Sequence, residues 1–392
     1  MRLKDITTLN PQYRGKELYN NVSFVPMESL RNGSIDLKDI SFAEGKGKYT
    51  YFANGDLLVA KVTPCFENGN IAIADNLEQG VGFGSSEIFV LRMKKGFLNS
   101  YLFYLSQTSK FQDAACATMC GVGGLKRISP LFMRTYELEL PVLSEQQKIV
   151  EKLDAQLSSI DKRISALEKQ LDAYARLKKS VIHQAVTRGL NPNVTLKDSG
   201  IEWIGMMPSH WEIKRGKDFL IITNGFPADS NLFSIDGSGL PLVRIRDISN
   251  SKTEVNYIGE VPSWALLKDY DLLIGMDGDF NVCFWNGGAA VLNQRVCKIN
   301  SKIGDIHFIY HSIAPKLKEL NAKTNSTTVK HLSSYDIDNL YFAFPPLSEQ
   351  QEIANYLDEK CAKIDAAIEN ITKQIDASKR LRKAIINEAI SG

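Results

Sequence analysis

The chain has no C-x-x-C pair, no apolar run of about 18 residues, only five histidines and almost no excess of one charge sign. Each shortage excludes something. The six cysteines stand at 65, 116, 120, 283, 297 and 361, and Cys116-x-x-x-Cys120 has no matching His or Cys pair nearby. Zinc coordination needs such pairs, so no metal is expected and reduced, mostly buried thiols are. The five histidines are expected in structural or surface roles rather than as metal ligands. A membrane-spanning helix needs about 20 apolar residues, and the opening Met1-Arg2-Leu3-Lys4-Asp5 lacks the apolar core of a secretory signal. The reading is a soluble, cytoplasmic protein with no membrane partner. Lysine and arginine number 47 against 45 acidic residues, a net charge of +2. Dedicated phosphate binders are more basic. Any contact with a polyanion must therefore rest on locally clustered basic groups or on a partner.

Catalytic signatures are missing as well. There is no Walker A pattern and no G-x-G-x-x-G after a strand. Asn10-Pro11-Gln12-Tyr13 is similar to the Asn-Pro-Pro-Tyr/Phe loop of adenine methyltransferases, but it lacks the second proline and has no cofactor motif before it. Asp36 with Glu44-Gly45-Lys46 imitates a metal-nuclease triad in a spacing too common to carry weight. No catalytic residue is expected in this chain.

What is present is a duplication. Residues 141–187 align without a gap on residues 345–391, at an offset of 204. Shared positions include Ser144/Ser348, Glu145/Glu349, Gln146/Gln350, Asp154/Asp358, Asp161/Asp365 and Arg176/Arg380. The length of 392 residues suits two domains, one for each copy.

Both copies read as long helices. Pro141 and Pro345 precede Ser-Glu-Gln-Gln, in which Ser144 and Ser348 can cap while Gln147 and Gln351 reach back as a capping box. Glu145 and Glu349 bring negative charge to the positive end of the helix dipole. Apolar residues then recur in 4-3 steps: Leu153, Leu157, Ile160, Ile164, Leu167, Leu171 and Tyr174 in the first copy, and Leu357, Cys361, Ile364, Ile368, Ile371 and Ile375 in the second. A 3.5-residue period is a coiled-coil seam, weaker in the second copy, where Cys361 and Ser378 occupy seam positions. Each helix should run about 65 Å at about 1.5 Å per residue. Two such stripes in one chain predict an antiparallel, pseudo-twofold pair, with seams between separate chains as the other solution. Lys162, Arg163, Lys169, Lys178 and Lys179 then fall on its solvated face.

The segments before each helix are fainter copies. Asp56-Leu57-Leu58-Val59 matches Asp271-Leu272-Leu273-Ile274, and Leu125-Lys126-Arg127-Ile128-Ser129 matches Val329-Lys330-His331-Leu332-Ser333. Apolar runs at Leu57–Val62, Ile88–Met93, Leu242–Ile245, Ala289–Leu292 and Leu340–Phe344 read as strands, and 98–113 and 306–320 as helices. The fold class expected is α/β (α+β), with twisted, mostly antiparallel sheets. Residues 191–212 form a joint rich in Asn, Pro, Gly and Ser, but Trp203, Ile204 and Trp211 should pack it down. Only one joint is needed, since Arg2–Ile6 matches the stretch just after it, Lys214–Phe219.

Taken together, the two Pro-x-Leu-Ser-Glu-Gln-Gln starts, the heptads, the joint Ser199-Gly200-Ile201-Glu202-Trp203-Ile204-Gly205-x-x-Pro208-x-His210-Trp211 and the Asp-Leu-Leu strands resemble specificity subunits of type I restriction–modification systems. The resemblance implies target-recognition domains at 1–140 and 213–343, a central spacer helix at 141–190, the joint at 191–212 and a distal helix at 344–392. It implies that each recognition domain reads one half of a split site on double-stranded DNA. It also implies helices that set the spacer and dock two modification subunits, with restriction and translocase subunits beyond them. S-adenosylmethionine, ATP and Mg would sit on those partners and no cofactor on this chain. The alternative is a coiled-coil scaffold that binds no DNA.

For DNA contact the candidates are Lys126, Arg127, Lys330 and His331, basic pairs at equivalent places suited to phosphate. Asn325, Thr327, Lys61, Arg244, Arg246 and Arg295 complete the set, with side-chain types able to reach backbone or base edges.

Overall fold

A computed structural model describes residues 1–15, 19–122, 124–323 and 330–391. The chain divides into two compact units, Met1–Glu168 with Thr372–Gly392, and Lys169–Ile371. Each contains one globular body and parts of both long helices.

In unit 1 the central sheet places Thr7–Leu9, Ile88–Met93, Leu57–Ala60 and Ile71–Ile73 side by side, all antiparallel. In unit 2 the strands Leu220–Asn224, Val296–Ser301, Leu272–Gly275 and Val282–Phe284 follow the same order, again antiparallel. Each body carries a second, mixed sheet with one parallel pair: Asn21–Val25 beside Val81–Gly84 in unit 1, and Leu240–Val243 beside Ala290–Leu292 in unit 2. The antiparallel expectation holds with those two exceptions.

The Asp-Leu-Leu motif has a physical reason in both units. Leu57 to Ala60 and Leu272 to Ile274 are fully or almost fully buried, so these central strands read as unbroken apolar runs rather than alternating ones. In unit 2, Leu272 and Ile274 enter the core beneath the helix Ile306–Lys323, while Leu273 enters a second core with Val243 and Trp285. The aspartate closes the turn before the strand. Asp56 accepts from the Ala53 amide at 2.7 Å and Asp271 from the Lys268 amide at 3.0 Å. Asp56 also takes a two-pronged bond from Arg92 on the neighbouring strand.

The long helices span Leu143–Arg188 and Leu347–Ser391. Their beginnings correct the expected capping box. Both start one residue before the serine, so Ser144 and Ser348 already lie inside the first turn. The buried glutamines Gln146 and Gln350 act instead. Gln146 donates to the Pro141 carbonyl at 2.9 Å and accepts from the Leu98 amide at 3.2 Å. Gln350 repeats this with the Pro345 carbonyl and the Asp305 amide, at 2.8 and 2.9 Å. Leu98 and Asp305 stand at the starts of the helices Asn99–Ser106 and Ile306–Lys323, so one amide group ties the long helix to a helix of its own body. The single helix expected over 98–113 is two, because Thr108 interrupts it and caps Ser109–Cys116 through the Phe111 amide.

A second repeated residue strengthens that tie. Asp154 accepts from the Tyr104 hydroxyl in unit 1, while Asp358 receives His307 Nδ1 at 2.8 Å and His311 Nε2 at 2.7 Å in unit 2. Burial holds the His311 pKa below its ordinary 6.5, with Asp358 pulling the other way. The unfolded chain therefore binds a proton at a pH where the folded one does not, and unit 2 should lose stability as pH falls below about 6.5. Urea titrations at pH 7.5 and 5.5 should show this loss, and His311→Gln, which keeps a donor without titrating, should flatten it.

The two seams pack against each other, antiparallel, within each unit. In unit 1 Leu153 and Leu157 share a core with Ile386, and Arg382 bonds Asp161 at 2.8 Å. In unit 2 Lys178 bonds Asp365 at 2.7 Å. The second seam is not weak. Cys361 and Ser378 are buried, the Ser378 hydroxyl donating to the Gln374 carbonyl four residues back. Lys162, Arg163, Lys169 and Lys179 are exposed as expected and Lys178 is half-buried; Arg163 bonds Gln374 and Lys178 bonds Asp365 across the helix pair. All six cysteines are free thiols, but only Cys297 and Cys361 are buried. Cys65, Cys116 and Cys283 are half-buried and Cys120 is exposed, which corrects the expectation of mostly buried thiols. Burial pushes the Cys297 thiol up to about 12.

The joint packs as expected. Leu196–Asp198 and Met206–Pro208 form a hairpin, and its connecting turn needs positive φ at Gly200 and Gly205. Trp211 is fully buried and bonds the Glu349 carboxylate at 2.9 Å, while His210 holds the other oxygen at 2.7 Å. No helix of the described residues is long and apolar enough to cross a membrane.

Candidate nucleic-acid interface

One backbone ladder recurs beside the C-terminal end of each central strand. In unit 1 Val62 bridges Arg127, the Thr63 amide donates to the Lys126 carbonyl, and the Ile128 amide to that of Lys61. In unit 2 Asp277 bridges His331, the Gly278 amide donates to the Lys330 carbonyl, and the Leu332 amide to that of Met276. A further match fixes the neighbouring strand, because the Lys61 amide bonds the Glu87 carbonyl and the Met276 amide that of Arg295. The frame is the same; the side chains on it are not.

In unit 1 the ladder gathers Lys61, Glu87 and Arg127. The Arg127 guanidinium makes two parallel bonds to Glu87, at 2.9 and 2.8 Å. This bond keeps the Glu87 carboxyl below its ordinary value and raises Arg127. Lys61 donates to the Ser86 carbonyl at 2.6 Å and lies over the Phe89 ring, and burial lowers its pKa. Lys126 is exposed, on a hairpin of Cys120–Val122 and Leu125–Arg127 whose six strand residues all face solvent. Gly121 is required there, since a Cβ would stand 2.1 Å from the Leu125 carbonyl oxygen. Asn10, of the near-match to a methyltransferase loop, accepts from the Val90 amide at 2.9 Å and so braces a strand.

In unit 2 the positions hold different groups. Asp277 accepts from His331 Nδ1 at 2.6 Å and pairs with Arg295 Nε at 3.5 Å. Lys330 donates to the Asn321 carbonyl at 2.7 Å, near the end of its helix. Arg295 opens into a cavity of about 750 Å³, also lined by Arg244, Arg246, Asn281 and Gln294. Arg244 is bonded to Asp247 at 2.9 Å and to Glu254 at 3.2 Å, contacts that raise its pKa. Arg246 is exposed. Asn325 and Thr327 lie outside the described residues.

Of the candidates, Lys61 and Arg127 therefore meet in unit 1 while Lys126 stands exposed beside them on the hairpin, and Arg244, Arg246 and Arg295 share a cavity in unit 2 with His331 joined through Asp277. Sequence reasoning missed Glu87 and Asp277, the carboxylates that hold these bases in place. Glu87 directly precedes the Ile88–Met93 run and Asp277 closely follows the Asp-Leu-Leu strand, which was the available signal.

Two modules thus share one backbone frame and carry unlike polar side chains on it. The family model described as "Type I restriction modification DNA specificity domain" matches residues 1–173 and 208–377, and the chain belongs to that family. It is 40% identical over 173 residues to the Type I restriction enzyme EcoBI specificity subunit of Escherichia coli, covering 44% of this chain and 36% of that one. Over 362 residues it is 24% identical to the Type I restriction enzyme MjaIX specificity subunit of Methanocaldococcus jannaschii, covering 87% and 78%. The alignments to the E. coli EcoBI and EcoAI subunits span only about a third of those proteins' lengths, 36% and 31%. The fold is similar to a chain from "Structural basis underlying complex assembly and conformational transition of the type I R-M system", with a TM-score of 0.67 at 18% identity, covering 100% of this chain and 96% of that one.

Proposed function

We propose that this chain is the DNA sequence-specificity subunit of a type I restriction–modification complex and carries no reaction step itself. The observation that carries the reading is the repeated ladder with exchanged chemistry: Glu87 and Arg127 in unit 1, Asp277, Arg295 and His331 in unit 2. A common frame with different donors and acceptors suits two readers of different half-sites. A scaffold that bound no DNA would leave these differences without a purpose. Basic groups held by carboxylates keep a fixed direction, which base-edge hydrogen bonding needs more than raw charge.

Half-sites read from one face of B-DNA lie about one turn, about 34 Å, apart or multiples of it. Long helices zipped by apolar seams are stiff enough to fix such a spacing, and their exposed faces offer docking area for two modification subunits. S-adenosylmethionine would be bound on those subunits, with ATP and Mg on a restriction subunit.

The test is methylome sequencing of cells expressing the modification partner with and without this chain. The expected result is a split adenine-methylation motif that appears only with the chain present. A partner that methylates the same motif alone would sink the proposal.

A further inference from the structure

Resting on the DNA-reading proposal above, the geometry points to Arg295 as a guanine-reading residue of unit 2, with Asp277 as the residue that positions it. Four loops form the cavity rim, and three arginines reach it in different states. Arg244 is already committed to Asp247 and Glu254, so it braces the loop rather than meeting a ligand. Arg246 is exposed, with no ion pair among the described residues, an arrangement suited to a phosphate.

Arg295 differs from both. The shortest approach of its ion pair with Asp277 is from Nε, at 3.5 Å, and its guanidinium is about half exposed with no side-chain hydrogen bond among the described residues, so its terminal nitrogens are open to a ligand. Asp277 cannot easily swing away, because His331 Nδ1 holds its other oxygen at 2.6 Å and the backbone ladder fixes both residues. A guanidinium tethered through Nε presents a flat two-donor fork. Guanine offers the matching pair of acceptors, O6 and N7, on its major-groove edge, and no other base places two acceptors there. The amides of Asn281 and Gln294 line the same cavity and could serve a neighbouring base pair.

The duplication supplies an independent argument. The position of Arg295 on the frame is that of Glu87 in unit 1, since the amides of Met276 and Lys61 bond their carbonyls in the same way. A position needed only for folding has no reason to reverse its charge between two copies of one frame. A position facing different bases does.

The experiment uses the full chain assembled with its modification subunits, binding fluorescent duplexes that carry the mapped motif or one-base variants of the half-site read by unit 2. Arg295→Ala should cut discrimination at one G·C position by about ten- to a hundredfold and leave the other half-site unchanged. Arg295→Lys should behave like Arg295→Ala, because an ammonium offers charge without the planar fork. Asp277→Asn should keep the same preferred base with a several-fold smaller preference at that position alone. Arg295 is exposed, so these variants should melt with the wild type, and Arg295→Gln is a second truncation should alanine disturb the loop. The proposal is overturned if discrimination is unaltered at every position. It is equally overturned if Arg295→Ala weakens all duplexes alike and Arg295→Lys restores them, the behaviour of a phosphate contact. Wild-type complex that prefers no sequence would instead sink the DNA-reading proposal itself.

Discussion

Trp211→Ala should unfold unit 2 at a markedly lower urea concentration while leaving unit 1 in place. Trp211 is fully buried against Ala185, Val186, Phe308 and Leu357, and its indole N–H bonds the Glu349 carboxylate at 2.9 Å. Truncating a buried tryptophan costs about 3–5 kcal/mol, from lost transfer energy and the cavity left behind. Here the cost falls on one seam. The same side chain touches the end of the first long helix, where Gly189 takes positive φ and a Cβ would approach the indole to 3.0 Å. Circular dichroism in urea should therefore turn one transition into two, the earlier belonging to unit 2. Trp211→Phe should lose only about 1–2 kcal/mol, since it fills most of the space and forfeits mainly the bond to Glu349. A single transition moved equally for both units would refute this account of the joint.

Exchange of the second globular body for that of another family member should rewrite one half of the recognised motif and nothing else. The cut points follow from the structure. Glu212–Arg215 pairs with Tyr341–Phe344 in the register Glu212 to Phe344 and Ile213 to Ala343, so a graft starting at 213 and ending at 343 exchanges whole cross-strand pairs and leaves native Glu212 opposite native Phe344. A graft of residues 212–344 carries all four pairs of the ladder together. Its spacer and the half-site of unit 1 should remain, because neither long helix nor residues 1–140 are altered. Methylome sequencing of the chimaera reads all three parts together. Changes in both halves would end the modular reading.

Much of this was legible in the sequence because it was written twice. The helix pair, the Asp-Leu-Leu strands and the ladder residues 126–127 and 330–331 all surfaced as internal matches. The failures have local causes. Ser-x-x-Gln after a proline satisfies a capping-box pattern, but a helix can begin earlier when a buried amide captures the preceding carbonyl, as Gln146 and Gln350 do. The pattern records which groups could bond, and burial decides which do. Cys361 and Ser378 looked like flaws in a seam, yet a thiol packs as a small apolar group and a serine hydroxyl can bond its own helix. Glu87 and Asp277 escaped notice because their partners lie 40 and 54 residues away in sequence. Only the sheet brings such residues together.

The composition of unit 1 has a temporal consequence. Its core contains Ile386, and Asn387 accepts from the Ser109 amide at 2.8 Å, so its final packing draws on residues synthesised after the whole of unit 2. A nascent chain leaving the ribosome can form the first sheet early, but that body keeps an open apolar flank until residues 372–391 have been made. A module begun before unit 2 is thus finished only after it.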